Sequence, residues 1–155
     1  MIIFHNKILS IEFTDEIVNS LKTYTQDSHQ IPESGGILMG KRLLNGNIIV
    51  TNITTPQQGD ITRRCYFKKD KKVHQKISDK IWRDSKGKII YIGEWHTHPE
   101  LIPHPSSVDL RGWRLSVQNQ KDEKTYIFLI AGIKEFGLWS YSKTNGLLKM
   151  EMDLN

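Results

Sequence analysis

The residues best suited to chemistry lie in one stretch, GEWHTHPELIPHPSSVDLRGW, at positions 93–113. It contains a His-x-His pair, His96 and His98, and an acid, Asp109, beyond a proline-rich segment. The run before the pair is rich in β-branched and aromatic residues, which predicts a strand that stops at Pro99. Side chains of a strand alternate between faces, so we expect His96 and His98 to project together. Such a pair can bind a metal, but it is also common in ordinary surface turns.

Asp109 has two interpretations that the local pattern leaves open. Catalytic zinc sites commonly use three His, Asp or Glu ligands and keep one position for water. A helix starting near Ser107 would carry Asp109 in its first turn, where it could face back over the strand end. The same residues match a capping box, in which Ser106 caps the helix and Asp109 is the third-position acid. We expect a carboxylate aimed at a metal to cap poorly, so the metal interpretation predicts a weak cap.

Three neighbouring residues are secondary candidates. Glu94 shares the parity of the two histidines and is interpreted as a ligand, a base, or an acid that faces substrate. Thr97 points to the opposite face of the strand, and both Glu94 and Thr97 are retained as candidate substrate-binding residues. His104 lies between two prolines and is expected to be an exposed loop residue.

Composition predicts a soluble protein with a single domain over residues 1–155. The chain is 37% hydrophobic and 25% charged and has no apolar run of membrane-spanning length, so we expect a cytoplasmic protein without a membrane partner. Its one cysteine, Cys65, excludes an internal disulfide and a cysteine zinc cage. The net charge of +5 owes much to residues 63–88. A solvated helix face explains that run better than a surface for an acidic partner or nucleic acid, because no aromatic platform or glycine-rich phosphate loop accompanies it.

Hydrophobic periodicity predicts a mixed α/β protein of the α+β type, with a largely antiparallel sheet flanked by helices. Asn45-Gly46 between two apolar runs predicts a β-hairpin. Val73, Ile77 and Ile81 recur every fourth residue, as on a buried helix face, and we expect Trp82 to extend the buried edge. Further strands are predicted over 2–13, 65–67 and 88–98 and in three C-terminal runs, and further helices after Thr14 and over 107–119.

Taken together, HTHPELIPHPSSVD resembles the JAMM motif of the JAB/MPN metalloproteases, written as H-x-H-P, a short loop and S-x-x-D. His96 and His98 match its first part and Ser106 and Asp109 its second, at the family's spacing. The family also requires an upstream glutamate before a glycine-rich apolar strand, and IPESGGILMG supplies it as Glu33. The resemblance covers most of the chain and implies the JAB/MPN fold, a three-layer arrangement like that of cytidine deaminase.

The resemblance also implies a role for each matched residue. His96, His98 and Asp109 would hold one Zn²⁺ per chain together with a catalytic water. Glu33 would accept the proton of that water and pass it to the leaving amine. Ser106 would donate a hydrogen bond to the tetrahedral oxyanion. The complete motif implies an active peptidase rather than an inactive scaffold subunit.

The residues around the motif are similar to those of compact bacterial members, notably the deconjugating peptidases of CBASS antiphage operons. Eukaryotic members usually carry an aromatic residue where this chain has Glu94. This similarity implies a deubiquitinase-like isopeptidase whose substrate is a ubiquitin-like or conjugated protein, such as a cyclic-nucleotide synthase. The short loop between the ligands leaves recognition to other surfaces, such as residues 55–72. The alternatives are a JAB peptidase that processes a sulfur-carrier protein or small peptide, and a non-catalytic JAB-like module that binds nucleic acid.

Overall fold

Strand β8 (Tyr126–Ala131) is buried on both faces, and its alternation defines the layers of the fold. In the computed structural model, which describes residues 1–154, Ile127 and Leu129 pack into a cluster with helix α1 (Asp15–Lys22). Phe128 and Ile130 face the other way and pack with helix α3 (Ser107–Gln118). A sheet that is apolar on both faces needs cover on both. Helices therefore flank the sheet, as the sequence predicts.

The main sheet has nine strands in the order β10-β9-β8-β7-β3-β4-β2-β1-β11. Two neighbouring pairs, β7 with β8 and β2 with β4, are parallel, and the others are antiparallel. The predicted α+β class with a largely antiparallel sheet is confirmed. The remaining strands are β1 (Ile2–His5), β2 (Ser10–Phe13), β3 (Gly35–Arg42), β4 (Ile48–Ile53), β5 (Ile61–Arg63), β6 (Tyr66–Lys68), β7 (Ile90–Thr97), β9 (Phe136–Ser142), β10 (Gly146–Lys149) and β11 (Glu151–Met152).

The neighbours of β7 position the candidate site. Strand β7 lies between β3 and β8 and pairs with both, so backbone hydrogen bonds hold its end from both sides. Strands β5 and β6 form a separate two-stranded hairpin within residues 55–72. The predicted turn at Asn45-Gly46 connects β3 to β4, and Gly46 has φ of +90°, a conformation that glycine adopts readily.

The residues that helix α2 (Lys71–Asp84) buries are not the ones that the sequence predicts. Its fully buried residues are His74 and Ser78, whereas Val73, Ile77 and Ile81 are half-buried. Trp82 is 52% exposed, so the expectation that it extends the buried edge is wrong. The helix is oriented by a polar contact, because its His74 hydrogen-bonds both Thr54 and Asp60 in the interior.

The helices described within residues 1–154 are all too short or too polar to cross a membrane.

Candidate active site

The register between β3 and β7 brings the predicted base next to the predicted ligands. The antiparallel pairing continues past the strand end, where the Thr97 amide donates to the Ser34 carbonyl at 2.9 Å. The residues adjoining this pair are Glu33 and His98. Glu33 Oε1 lies 4.0 Å from His98 Nε2. A carboxylate and an imidazole from distant parts of the chain thus share one buried site.

His96, His98 and Asp109 converge on one point. The two Nε2 atoms are 3.0 Å apart, Asp109 Oδ1 is 3.2 Å from His96 Nε2, and Asp109 Oδ2 is 3.2 Å from His98 Nε2. Adjacent ligands of a tetrahedral zinc ion lie roughly 3.4 Å apart, given metal–ligand distances of about 2.0–2.2 Å. The donor set and its spacing therefore fit a zinc ion. A Glu33 oxygen also lies within 4.8 Å of both histidine donor atoms.

Asp109 caps its helix while facing both histidines. Its Oδ2 accepts a hydrogen bond from the Ser106 amide at 2.8 Å, and its own amide donates to Ser106 Oγ at 3.1 Å. The capping box of α3 is complete. The weak cap that the metal interpretation predicts is therefore not observed, and capping does not prevent the carboxylate from facing both histidines. A carboxylate has two oxygens with several acceptor positions, so one side chain serves the helix and the histidines together.

Glu100 orients His98. Its Oε1 lies 2.8 Å from His98 Nδ1, which favours the tautomer with the proton on Nδ1 and a lone pair on Nε2. That lone pair faces the point where His96 and Asp109 converge. Histidine ligands of metals usually donate their second nitrogen to a carboxylate in this way. The sequence motifs do not identify Glu100, although its position two residues after His98 is a usable signal.

The environment of Glu33 suits a proton acceptor. The pKa of Glu33 is raised from 4.5 to about 7, mainly by burial in the cleft, with smaller contributions from the charges of Asp109 and Glu100 and an opposing, lowering effect of His98. Its side chain is 7% exposed. A carboxyl with a pKa near neutrality can both accept and release a proton at physiological pH.

The pKa values of Asp109 and His98 depend on each other. Burial alone would raise the pKa of Asp109, but hydrogen bonds with His96 and His98 hold it well below its usual range. Burial alone would lower the pKa of His98, but the hydrogen bonds with Asp109 and Glu100 raise it. Asp109 is thus an anion over the pH range in which zinc binds protein ligands, and negative charge at this point favours a cation.

The site opens into a cleft of about 840 Å³ between the β5–β6 hairpin and α3. Tyr66 and Phe67 contribute to the hairpin wall, and Val108 and Leu115 contribute to the helix wall. The β5–β6 hairpin packs closely against β3 because residue 35 is glycine. A Cβ at Gly35 would lie 2.6 Å from the Phe67 ring. The segment expected to take part in recognition, 55–72, therefore supplies one wall of the cleft.

The secondary candidates separate in the structure. Glu94 lines the cleft, where it pairs with Lys69 and accepts a 3.5 Å hydrogen bond from Ser116. Thr97 is fully buried, and its hydroxyl is used by Ser34 and Gln26. The expectation that Thr97 contacts substrate is therefore corrected, because its side chain faces away from the cleft.

His104 and Ser106 lie outside the group of converging donor atoms. His104 is 75% exposed and lies 3.6 Å from Glu100, as expected for a loop histidine outside the ligand set. Ser106 lies at the rim of the cleft, where its hydroxyl accepts the Asp109 amide and keeps its own proton available for donation.

Gln26 was also missed by the sequence analysis. It lies in the loop after α1, and its fully buried amide hydrogen-bonds Thr97. A single glutamine in a polar loop has no spacing pattern that marks it. Only the fold brings it to the strand that carries the histidines.

Solved structures of other proteins share this fold. A solution structure of a protein from Desulfitobacterium hafniense superposes with a TM-score of 0.63 at 19% identity, covering 90% of this chain and 88% of that one. A protein from Salinibacter ruber superposes with a TM-score of 0.50 at 14% identity, with the same coverage. At these identities the similarity supports the fold alone.

Sequence comparison finds relatives named CD-NTase/cGAS isopeptidase. The Escherichia coli (strain TW11681) protein is 34% identical over 134 residues, covering 86% of this chain and 82% of that protein. The Vibrio cholerae protein is 38% identical over 122 residues, covering 79% and 76%. The family model described as prokaryotic homologs of the JAB domain matches residues 16–142. The chain therefore belongs to the Prok-JAB family.

Proposed function

We propose that this protein is a zinc-dependent isopeptidase, which hydrolyses an amide or isopeptide bond at the C-terminus of a ubiquitin-like or conjugated protein. The observation that carries the proposal is the position of Glu33. A buried carboxyl with a pKa of about 7 lies 4.0 Å from His98, beside the converging donor atoms of His96 and Asp109. Family membership and relatives named as isopeptidases support hydrolase activity at this site.

His96, His98 and Asp109 are the residues that would hold the metal. Their Nε2 and carboxylate atoms have the spacing and the charge that zinc prefers. A bound zinc ion supplies a Lewis acid that polarises the scissile carbonyl and acidifies water. Glu100 keeps the His98 lone pair directed at the site through its contact with Nδ1.

Glu33 and Ser106 provide the proton transfer and the hydrogen bond that the reaction needs. Glu33 accepts a proton from the attacking water and donates it to the amine that leaves, which its near-neutral pKa permits in both directions. Ser106, at the rim of the cleft, donates its hydroxyl proton to the oxyanion that forms on the carbonyl oxygen. A donor of this kind typically contributes a rate factor of about 10²–10³.

The cleft and the relatives indicate the substrate class. The cleft of about 840 Å³ extends from the site between the hairpin and α3, and its apolar walls suit an extended peptide segment. Relatives named CD-NTase/cGAS isopeptidase favour a conjugated nucleotidyltransferase as the protein released. We accordingly assign the protein to deconjugation in a bacterial antiphage system of the CBASS type, acting in the cytoplasm.

A defined conjugate tests this function. A CD-NTase whose C-terminal residue is joined to the lysine of a target protein would be incubated with zinc-loaded protein, and the products identified by intact mass spectrometry. We expect hydrolysis at the joining bond by the parent and by Glu151→Gln, an exposed carboxyl on β11, and no hydrolysis by Glu33→Gln. Parallel substrates would be a sulfur-carrier fusion and a short peptide amide.

The outcomes separate the alternatives. Cleavage of the sulfur-carrier fusion alone would assign the same site to carrier processing. Failure of zinc-loaded parent protein to cleave any of these amides, or equal cleavage by Glu33→Gln, would contradict the proposal.

A further inference from the structure

Gln26 links three parts of the candidate active site through one buried amide. Its Oε1 accepts a hydrogen bond from the Thr97 hydroxyl at 2.9 Å. Its Nε2 donates to the Ile31 carbonyl at 3.0 Å and to the Arg64 carbonyl at 2.8 Å. The two carbonyls fix the orientation of the amide, because only the nitrogen end can donate to them. Both protons of the amide nitrogen and one acceptor position of the amide oxygen are therefore used in one arrangement.

Each of the three partners adjoins a working part of the site. Thr97 separates the two histidines, Ile31 precedes Glu33 by two residues, and Arg64 belongs to the turn of the β5–β6 hairpin. The Thr97 hydroxyl also accepts the Ser34 amide at 2.9 Å. We define the Gln26 clamp as Gln26, Thr97 and the backbone groups that they bond.

The backbone at both histidines is paired with β8, whereas the Glu33 backbone is not. His96 pairs with Ile130 of β8, and the His98 amide donates to the Ala131 carbonyl at 3.1 Å. Glu33 lies two residues before the start of β3, and its amide donates to the Arg63 carbonyl of the hairpin at 2.8 Å. Loosening the clamp should therefore displace Glu33 and the hairpin before it displaces the histidines.

We propose that Gln26 and Thr97 are positioning residues that set the place of the Glu33 carboxylate relative to His96 and His98. The inference rests on the proposed function for its kinetic consequence. Reacting groups that are misplaced by about 1 Å commonly lose about 10²-fold in rate. The clamp therefore controls turnover, while metal binding depends on contacts that the clamp does not make.

Substitutions at Thr97 test the clamp with matched controls. Thr97→Val removes the hydroxyl at nearly constant volume, and Thr97→Ser retains it. Ser140→Ala removes a buried hydroxyl on β9 that hydrogen-bonds Asn6, away from the site. For Thr97→Val we expect kcat to fall about 10²-fold, with KM and zinc affinity changed less than about threefold. We expect Thr97→Ser to recover most of kcat and Ser140→Ala to keep the parental kcat.

Hydrogen exchange provides a readout that needs no substrate and no metal. The Glu33 amide is not bonded to Thr97, so its exchange rate reports how firmly the clamp holds the segment. In Thr97→Val we expect the Glu33 amide to exchange at least about tenfold faster and the His98 amide to keep its parental rate.

Several results would overturn the inference. They are parental kcat in Thr97→Val, a zinc affinity that falls in proportion to kcat, an equal loss of kcat in Ser140→Ala, and a Glu33 amide that exchanges rapidly in the parent. If the parent cleaves no amide but the exchange rates change as expected, the proposed function fails and the positioning of Glu33 stands.

Discussion

Ser106 and Asp109 form a reciprocal pair at the start of α3, and the same Asp109 carboxylate lies 3.2 Å from both histidines. Each Asp109 oxygen faces one imidazole, while Oδ2 also accepts the Ser106 amide. The first turn of the helix thereby fixes the direction of the carboxylate that faces both histidines. Stability of the cap and geometry of the site are coupled at these two residues.

The Ser106 hydroxyl caps α3, and substitution can separate this role from the oxyanion donation that we propose for it. Ser106→Ala should lower the free energy of unfolding by about 1 kcal/mol through loss of the cap, and lower kcat by about 10²–10³-fold through loss of the oxyanion donor. Ser106→Gly should cost only a few tenths of a kcal/mol, because glycine is a tolerable cap, yet lose as much kcat. Urea unfolding and steady-state kinetics measure both. An active Ser106→Gly variant would restrict Ser106 to capping.

Glu100 should strengthen metal binding without touching the metal. Glu100→Gln weakens the contact that orients His98, so we expect the zinc affinity to fall about 10–100-fold. Competition with a chromophoric chelator measures the affinity. His104→Ala is the matched control, since His104 is the exposed partner of Glu100 on the solvent side, and its affinity should be parental. Equal affinities of Glu100→Gln and the parent would show that His98 needs no carboxylate.

Glu94 is expected to act on substrate binding rather than on the chemical step. Glu94→Gln removes a charge from the cleft and leaves Lys69 without its partner. We expect KM to rise roughly fivefold, which corresponds to about 1 kcal/mol, while kcat changes less than about twofold. Glu151→Gln, distant on β11, should leave both constants unchanged. An unchanged KM in Glu94→Gln would remove Glu94 from substrate recognition.

Ionisation of Asp60 makes the free energy of unfolding of the metal-free protein depend on pH in the acid range. Burial alone would raise the pKa of Asp60, but the amides of Gln57 and Asp70 and the contact with His74 lower it below 3.8. A lowered folded pKa contributes stability above about pH 4, and that stability is lost as the pH falls through the folded pKa. Asp60→Asn should therefore lose about 1–3 kcal/mol at pH 7, with a smaller difference near pH 3.

Urea unfolding across this pH range measures the effect of Asp60. Asp79→Asn, at an exposed carboxyl on α2, should follow the parent at every pH. A stability difference for Asp60→Asn that is independent of pH would show that the Asp60 charge has no part in it.

The sequence predicted features that depend on local periodicity. Alternation along β7 was sufficient to show that His96 and His98 share a face, and the Asn45-Gly46 turn was sufficient for the β3–β4 hairpin. Local periodicity could not place Glu33 beside the histidines, because the register that brings Ser34 to Thr97 joins residues 63 positions apart. Only the resemblance to a known family selected that glutamate among the acids of the chain.

The features that local reasoning missed are tertiary hydrogen bonds. Apolar periodicity predicts that Trp82 lies at a buried helix edge, because it does not reveal that His74 turns α2 toward Thr54. Local reasoning predicts that an Asp109 aimed at a metal caps α3 weakly, whereas the residue forms a complete cap and also faces both histidines. Gln26 gains its importance only when β7, the segment before Glu33 and the hairpin meet around its amide.

Zinc content measured together with activity tests the central claim most directly. Purified protein would be analysed for bound zinc per chain and for conjugate cleavage, before and after chelation and after zinc is added back, beside His96→Ala. We predict about one zinc per chain, cleavage that disappears with the metal and returns with it, and loss of both in His96→Ala. Cleavage that persists in metal-free protein, or parental zinc content in His96→Ala, would contradict the assignment of these residues to a metal-dependent isopeptidase site.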